Sequence, residues 1–274
     1  MPYRRLIAGF FACALTLAPL TAVRAAGTLR VASDISYAPL EFYKTGTKQV
    51  VGFDYDLARA IAAHMGRSLV FRNQNFDTIL DGLGTKDDVV ISSMSDTLAR
   101  EKRVDFIDYF LSGTGILTRA GNAAQLWDVS TLCGRTVDVQ TGTSAETTLK
   151  KQQDACKSVG LGPITVLAKP TDDAALAELD AGRSVAHISD YPVVAYIART
   201  RDGGKTYQVV GRPFDQVPFG IAVAKTNRAL RNQVQTALVA VIRDGTYDRL
   251  LKRWHLERGG LRSAPVNAGP TFQR

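Results

Sequence analysis

Residues 91–108 read ISSMSDTLAREKRVDFID and bring side chains of complementary chemistry together. A short apolar strand over 88–92 runs into a hydroxyl-rich loop (Ser92, Ser93, Ser95, Thr97), and Arg100 follows. Hydroxyls and carbonyls at a strand end accept from an ammonium group, while a guanidinium grips a carboxylate in bidentate fashion. A site offering both suits a free amino acid. The plainer reading is a solvated turn leading into a charged helix, and the rest of the chain has to decide between them.

Three other strand ends offer polar groups. The first strand ends at Asp34, with Tyr37 three residues on; a strand over 135–140 ends in Thr141-Gly142-Thr143-Ser144 and opens a helix; a strand over 184–189 ends at Asp190. In open α/β sheets ligands sit outside the carboxyl ends of strands, and backbone N–H groups at a helix start favour anions. Arg100 with the Thr143/Ser144 amides supplies a positive side. Asp190, with the Ser93 carbonyl and the Ser95 hydroxyl, supplies a negative one. An α-amino-acid zwitterion needs both, and Tyr37 and Phe76 are aromatic candidates to flank its side chain. Singly, Arg100 reads equally well as an exposed helix residue and Asp190 as a helix cap.

The elements that must position these residues alternate short apolar strands with amphipathic helices, the pattern of an α/β protein with largely parallel sheets. Strands are expected at 29–33, 69–72, 88–92, 135–140, 164–168, 184–189, 207–210 and 220–224. Asp54 or Asp56 is the expected cap of a helix carrying Leu57, Ala58, Ile61, Ala62 and Met65 on one face, stopped at Gly66. Thr171 caps a second helix, and 227–242 carries Leu230, Val234, Leu238 and Val241 on one side. The last dozen residues read as a tail.

Composition narrows the function classes. Arg4 and Arg5 precede an apolar run from Leu6 to about Val23, and Val23-Arg24-Ala25 has the small-residue pattern of an export-signal cleavage site. The alternative is a retained anchor, of borderline length and interrupted by Pro19. Cleavage near Ala25 removes three arginines and lowers the formal charge from +8 to +5. With no concentrated basic block, nucleic acid is not an expected partner. Export leaves Cys133 and Cys156, an even pair that reads as one disulfide in an oxidising compartment, with two buried thiols as the alternative. His64, His187 and His255 lie far apart, so no metal site is expected, and His187, inside a strand, reads as a satisfied core residue. No G-x-S-x-G elbow or Gly-rich phosphate loop is present, and no cofactor is expected.

Taken in order, Gly52-Phe53-Asp54-Tyr55-Asp56-Leu57-Ala58, the Ser92–Asp108 run with Arg100, Gln140–Glu146 (QTGTSAE) and Asp244-Gly245-Thr246-Tyr247 resemble the family 3 solute-binding proteins. These are the periplasmic amino-acid-binding proteins of bacterial ABC importers, and the likeness covers roughly residues 28–257. The resemblance implies a type II periplasmic-binding-protein fold, two α/β lobes joined by a two-strand hinge with the ligand cleft between them. Lobe 1 is expected at 28–117 plus 214–258, lobe 2 at 118–213, and a tail at 259–274. Carried over residue by residue, Arg100 and the Thr143/Ser144 corner clamp the α-carboxylate. Asp190 takes the α-ammonium with Ser93 and Ser95, Tyr37 and Phe76 flank the side chain, and Asp34 lies near its tip. The chain departs from the family's usual pattern at Leu40, Tyr55, Asp96 and Ala145, and the last two bear on side-chain specificity.

The leading expectation is an exported, monomeric, non-enzymatic receptor that captures a cationic or neutral polar amino acid by lobe closure and hands it to an ABC permease in the inner membrane. Two alternatives share the scaffold. One is a periplasmic dehydratase acting on arogenate- or prephenate-like acids, with Glu41 or Asp190 as general acid. The other is a sensor that presents its closed form to a membrane receptor.

Overall fold

A computed structural model describes residues 27–272. The expected export signal at 1–25 therefore lies outside the described residues. Among those described, no helix is long and apolar enough to cross a membrane.

The described residues form ten strands: β1 (Thr28–Ser33), β2 (Phe42–Tyr43), β3 (Val50–Val51), β4 (Ser68–Asn73), β5 (Val89–Val90), β6 (Val104–Arg119), β7 (Thr136–Gln140), β8 (Thr165–Lys169), β9 (Ala186–Asp190) and β10 (Tyr207–Ala224). Eight of them share one hydrogen-bonded order, β4-β1-β5-β10-β6-β9-β7-β8. At one end β4, β1 and β5 are parallel, and at the other β8, β7 and β9 are parallel. The antiparallel pair β6 and β10 runs between them, so each parallel group forms the sheet of its own α/β half.

The helices of the described residues are α1 (Phe53–His64), α2 (Leu98–Glu101), α3 (Ser144–Ser158), α4 (Asp172–Asp180), α5 (Tyr191–Thr200), α6 (Arg228–Arg243), α7 (Thr246–Trp254) and the single-turn α8 (Gly269–Phe272). The expected apolar faces are the ones that pack. Leu57, Ala58, Ile61 and Ala62 of α1 meet Val234 and Leu238 of α6 and Leu29 and Val31 of β1 in the core of the first half. Burying a side chain such as Leu57 or Ile61 contributes about 1.5–3 kcal/mol. The second half has its own core, in which Val137, Val139 and Ile188 pack against Leu149 of α3. Cys133 and Cys156 are disulfide-bonded there, as the sequence suggested.

Several local expectations are corrected. Gly52, at φ 130°, caps α1 in place of Asp54 or Asp56; the Cβ of any larger residue would lie 2.1 Å from the Leu40 carbonyl oxygen. Asp54 instead points inward, accepting from the Ser93 N–H at 2.8 Å and the Tyr109 hydroxyl at 2.6 Å. The segments expected as separate strands at 207–210 and 220–224 belong to one strand of 18 residues, bent by register shifts on either side of Phe214. Its partner β6 is 16 residues long.

The residues read as a tail are packed as a strap on the first half. Val266 bridges Ile107, and Gly260 bridges Phe110. Asn267 accepts from the Phe106 N–H at 2.7 Å, while the N–H groups of Ala268 and Gly269 donate to Asp108 at 3.1 Å and Asp96 at 2.9 Å.

Candidate functional site

Each expected site residue sits at a strand end or the loop beyond it. Asp34 and Tyr37 follow β1, Ser93 and Ser95 follow β5, and Arg100 lies on the short helix α2. Phe76 opens a 3₁₀ turn after β4. From the second half, Thr143 and Ser144 form the start of α3, and Asp190 ends β9 and precedes α5. All nine line one small, tightly closed cavity.

The local sequence explains several of these positions. The Thr143 hydroxyl accepts from the Glu146 N–H at 3.1 Å, and Glu146 in turn accepts from the Gly142 N–H at 2.8 Å. This reciprocal cap fixes the start of α3. Gly142, at φ 80°, lies against Asp77 of the other half so closely that a Cβ would be 2.7 Å from the Asp77 carboxylate. Ser93 holds a left-handed φ of 46°, maintained by the bond from its N–H to Asp54. Backbone strain of this kind persists only where surrounding bonds over-determine it.

The two halves touch through the same residues. Arg100 donates through Nη1 to the Ser95 carbonyl and through Nη2 to the Gly142 carbonyl, both at 2.9 Å, and its guanidinium lies 5.4 Å from the Phe76 ring centre. The hydroxyls of Ser95 and Ser144 are 3.0 Å apart. The Tyr37 hydroxyl donates to Asp190 at 2.6 Å and lies 2.9 Å from the Ser189 hydroxyl.

Burial governs the charges. It lowers the Arg100 guanidinium to about 10, which leaves it a cation at neutral pH. It lifts Asp190 to about 7, against the lowering effect of the Tyr37 hydrogen bond. Burial also raises Asp34 from its ordinary value, against the hydrogen bonds from Ser36 and Gln140. Glu41 is pushed well above the ordinary glutamate value, first by burial and then by the neighbouring charge of Asp54. The cavity thus holds a fixed cation at one place and a titratable acceptor at another, which is the polarity a zwitterion requires.

Three further residues line the cavity: Glu41, Ser92 and Gln140. Glu41 entered the sequence reading only as a candidate acid; here it accepts from the hydroxyls of Ser92 at 3.0 Å and Ser93 at 3.2 Å. Gln140 was not singled out, although it is the last residue of β7, immediately before the Thr141-Gly142 turn. Its amide donates across the cleft to Asp34 at 2.7 Å. Asp96 and Ala145, the two departures that bore on specificity, do not line the cavity: Asp96 faces the strap and Ala145 lies in the core of the second half. Among the described residues no three His, Cys, Asp or Glu side chains are grouped to hold a metal ion.

Residues 29–257 match the family described as bacterial extracellular solute-binding proteins, family 3. The chain belongs to this family. This solute-binding protein is 33% identical over 247 residues to the arginine-binding protein ArgT of Corynebacterium glutamicum, a match covering 89% of this chain and 79% of that one. It is also similar to the solved structure of an ancestral arginine-binding protein bound to arginine, with a TM-score of 0.75, 36% identity and coverage of 84% of this chain and 99% of the other. An ancestral arginine-binding protein bound to glutamine gives a TM-score of 0.74 at 35% identity, covering 83% of this chain and 97% of the other. These relatives are binding proteins, not enzymes.

Proposed function

We propose that this solute-binding protein captures a free α-amino acid with a cationic or neutral polar side chain and delivers it to an ABC permease. Arg100 and the Thr143/Ser144 corner hold the α-carboxylate. Asp190, with Ser93 and Ser95, holds the α-ammonium. Tyr37 and Phe76 flank the side chain, and Asp34 with Gln140 receives its polar end. The observation that carries this reading is the convergence of Arg100 and Asp190, from opposite halves, on a single small cavity. The names of the relatives, which include arginine- and glutamine-bound proteins, support the same ligand class.

Two charge-assisted contacts of about 1.5–3 kcal/mol each supply a large part of the roughly 8 kcal/mol of a micromolar complex. Closure occurs by movement of lobe 1 (28–117 plus 214–258) against lobe 2 (118–213) about the crossing strands β6 and β10. The closed shape is what the permease reads. The protein acts outside the inner membrane as a monomer, after signal cleavage near Ala25.

A thermal-shift screen of the chain from residue 26 against the twenty amino acids tests the reading. A ligand that binds only the folded state raises the melting temperature. Stabilisation by one or a few cationic or neutral polar amino acids is expected, and a blank screen would refute the proposal.

A further inference from the structure

His187 is fully buried in β9, three residues before Asp190, and the proposed clamp does not touch it. Its Nδ1 lies 2.6 Å from Asp138 in β7, and its Nε2 lies 3.3 Å from Asp172 at the start of α4. Asp138 also accepts the Ser184 hydroxyl, and Asp172 accepts the Ser189 hydroxyl at 2.8 Å. Nδ1 is hydrogen-bonded to Asp138, whereas Nε2 faces Asp172 as an ion-pair contact without hydrogen-bond geometry, and an imidazole flanked by two carboxylates is favoured as the imidazolium. Burial opposes the charge, yet the two carboxylates outweigh it and hold His187 up at about 10.

The contacts continue outward to the cleft. Ser189 lies 2.9 Å from the Tyr37 hydroxyl, which donates to Asp190. Three oxygen–oxygen contacts therefore share two hydroxyl protons, and the charge on Asp172 sets their direction. Ser189 donates inward to Asp172, leaving the Tyr37 proton to serve Ser189 or Asp190. Asp190 is faced by Tyr37 from the loop after β1, Arg100 from α2 and Asp172 from α4. His187 is faced by Asp138 from β7 and by Asp172 and Asp173 from α4. An uncompensated Asp172 would repel the charge on Asp190 and favour its neutral acid, which offers an ammonium group no opposite charge and only a weaker acceptor. The proposed clamp commits Arg100 to the ligand carboxylate, so compensation from His187 is what persists in the complex.

We propose that His187 is a positioning residue for ligand capture: held as an imidazolium between Asp138 and Asp172, it offsets the charge beneath Asp190 and keeps Asp190 an acceptor for the ligand ammonium. This inference rests on the reading of Asp190 as the ammonium site.

The test compares the parent chain from residue 26, His187→Gln, Asp172→Asn and the double variant. The ligand is whichever of the twenty amino acids shifts the parent melting temperature most, titrated calorimetrically from pH 5.5 to 8.5. At pH 7 His187→Gln is expected to bind tenfold or more weakly, with its pH midpoint for binding moved upward and affinity recovering by pH 8.5. Adding Asp172→Asn restores both. If His187→Gln does not fold, Asp172→Asn alone tests the link by moving the midpoint downward. A loss of the same factor at every pH, a double variant without rescue, or a midpoint unmoved in Asp172→Asn overturns the proposal. A folded parent that binds no amino acid overturns the binding reading itself, and the inference with it.

Discussion

The hydroxyl of Tyr37 and the carboxylate of Asp190, 153 residues apart in sequence, meet at 2.6 Å across the cleft. The Asp190 N–H donates back to the same hydroxyl at 3.2 Å. One phenol therefore fixes both the side chain and the backbone at the end of β9. Tyr37→Phe keeps the aromatic face and removes this bond. Calorimetry is expected to show amino-acid binding weakened about tenfold, the worth of one buried hydrogen bond of roughly 1–1.5 kcal/mol. Unchanged affinity would show that Asp190 needs no such support.

With Asp190 as the proposed ammonium site, binding is expected to depend on pH. Its folded-state value near 7 is raised above that of an unfolded aspartate, so its contribution to stability is full at low pH and is lost as pH rises through about 7. An ammonium ligand needs the ionised form, so affinity moves the other way, increasing from pH 5.5 to 8. Titrations in two buffers of different ionisation enthalpy are expected to show proton release on binding at pH 6.5. Proton uptake would contradict the assignment.

Asp34 is bonded by Ser36 at 2.9 Å and by Gln140 at 2.7 Å, at the end of the cavity assigned to the ligand side chain. Asp34→Asn keeps the shape and removes the charge. It is expected to cost a cationic amino acid at least tenfold in affinity and a neutral polar one much less. Equal losses for both would place Asp34 elsewhere than at the side-chain tip.

The strap makes Gly269 sensitive to substitution. A Cβ there would lie 1.9 Å from the backbone oxygen of Asp96, in the loop that carries Ser95 towards the cavity. Gly269→Ala forces the strap or this loop to shift, at a cost of about 1–3 kcal/mol. A lower melting temperature and weaker ligand binding are both expected. A loss of stability with binding intact would separate the strap from the site.

The disulfide joins cysteines 23 residues apart. Replacing both with serine is expected to lower stability by about 2–4 kcal/mol in chemical denaturation, as for a loop of this length. Ligand affinity is expected to change little, because the bond lies among the core residues of the second half.

Much of the fold and nine of the twelve residues lining the cavity were legible in the sequence. The periodic apolar residues of α1 and α6 identify their buried faces because helix geometry repeats within a few residues. Ser93, Ser95 and Arg100 lie close enough in sequence to be recognised as one polar group. Asp190 and the Thr143/Ser144 corner could be suspected because strand ends and helix starts have local signatures.

Tertiary structure decided the rest. Nothing near Gln140 indicates that its amide reaches Asp34, and Asp54 looks like a helix cap until Ser93 and Tyr109 arrive to claim its carboxylate. The continuity of β10 across its bends depends on pairing with β6, and the docked strap depends on Asp96 and Asp108, more than 150 residues before it. His187 read as an ordinary core histidine because its two carboxylate partners come from different elements of the chain. Sequence by itself determined the kinds of element and the types of functional group, since both follow from short-range periodicity and side-chain chemistry. Their mutual distances, and hence which charges face one another, were settled by long-range packing.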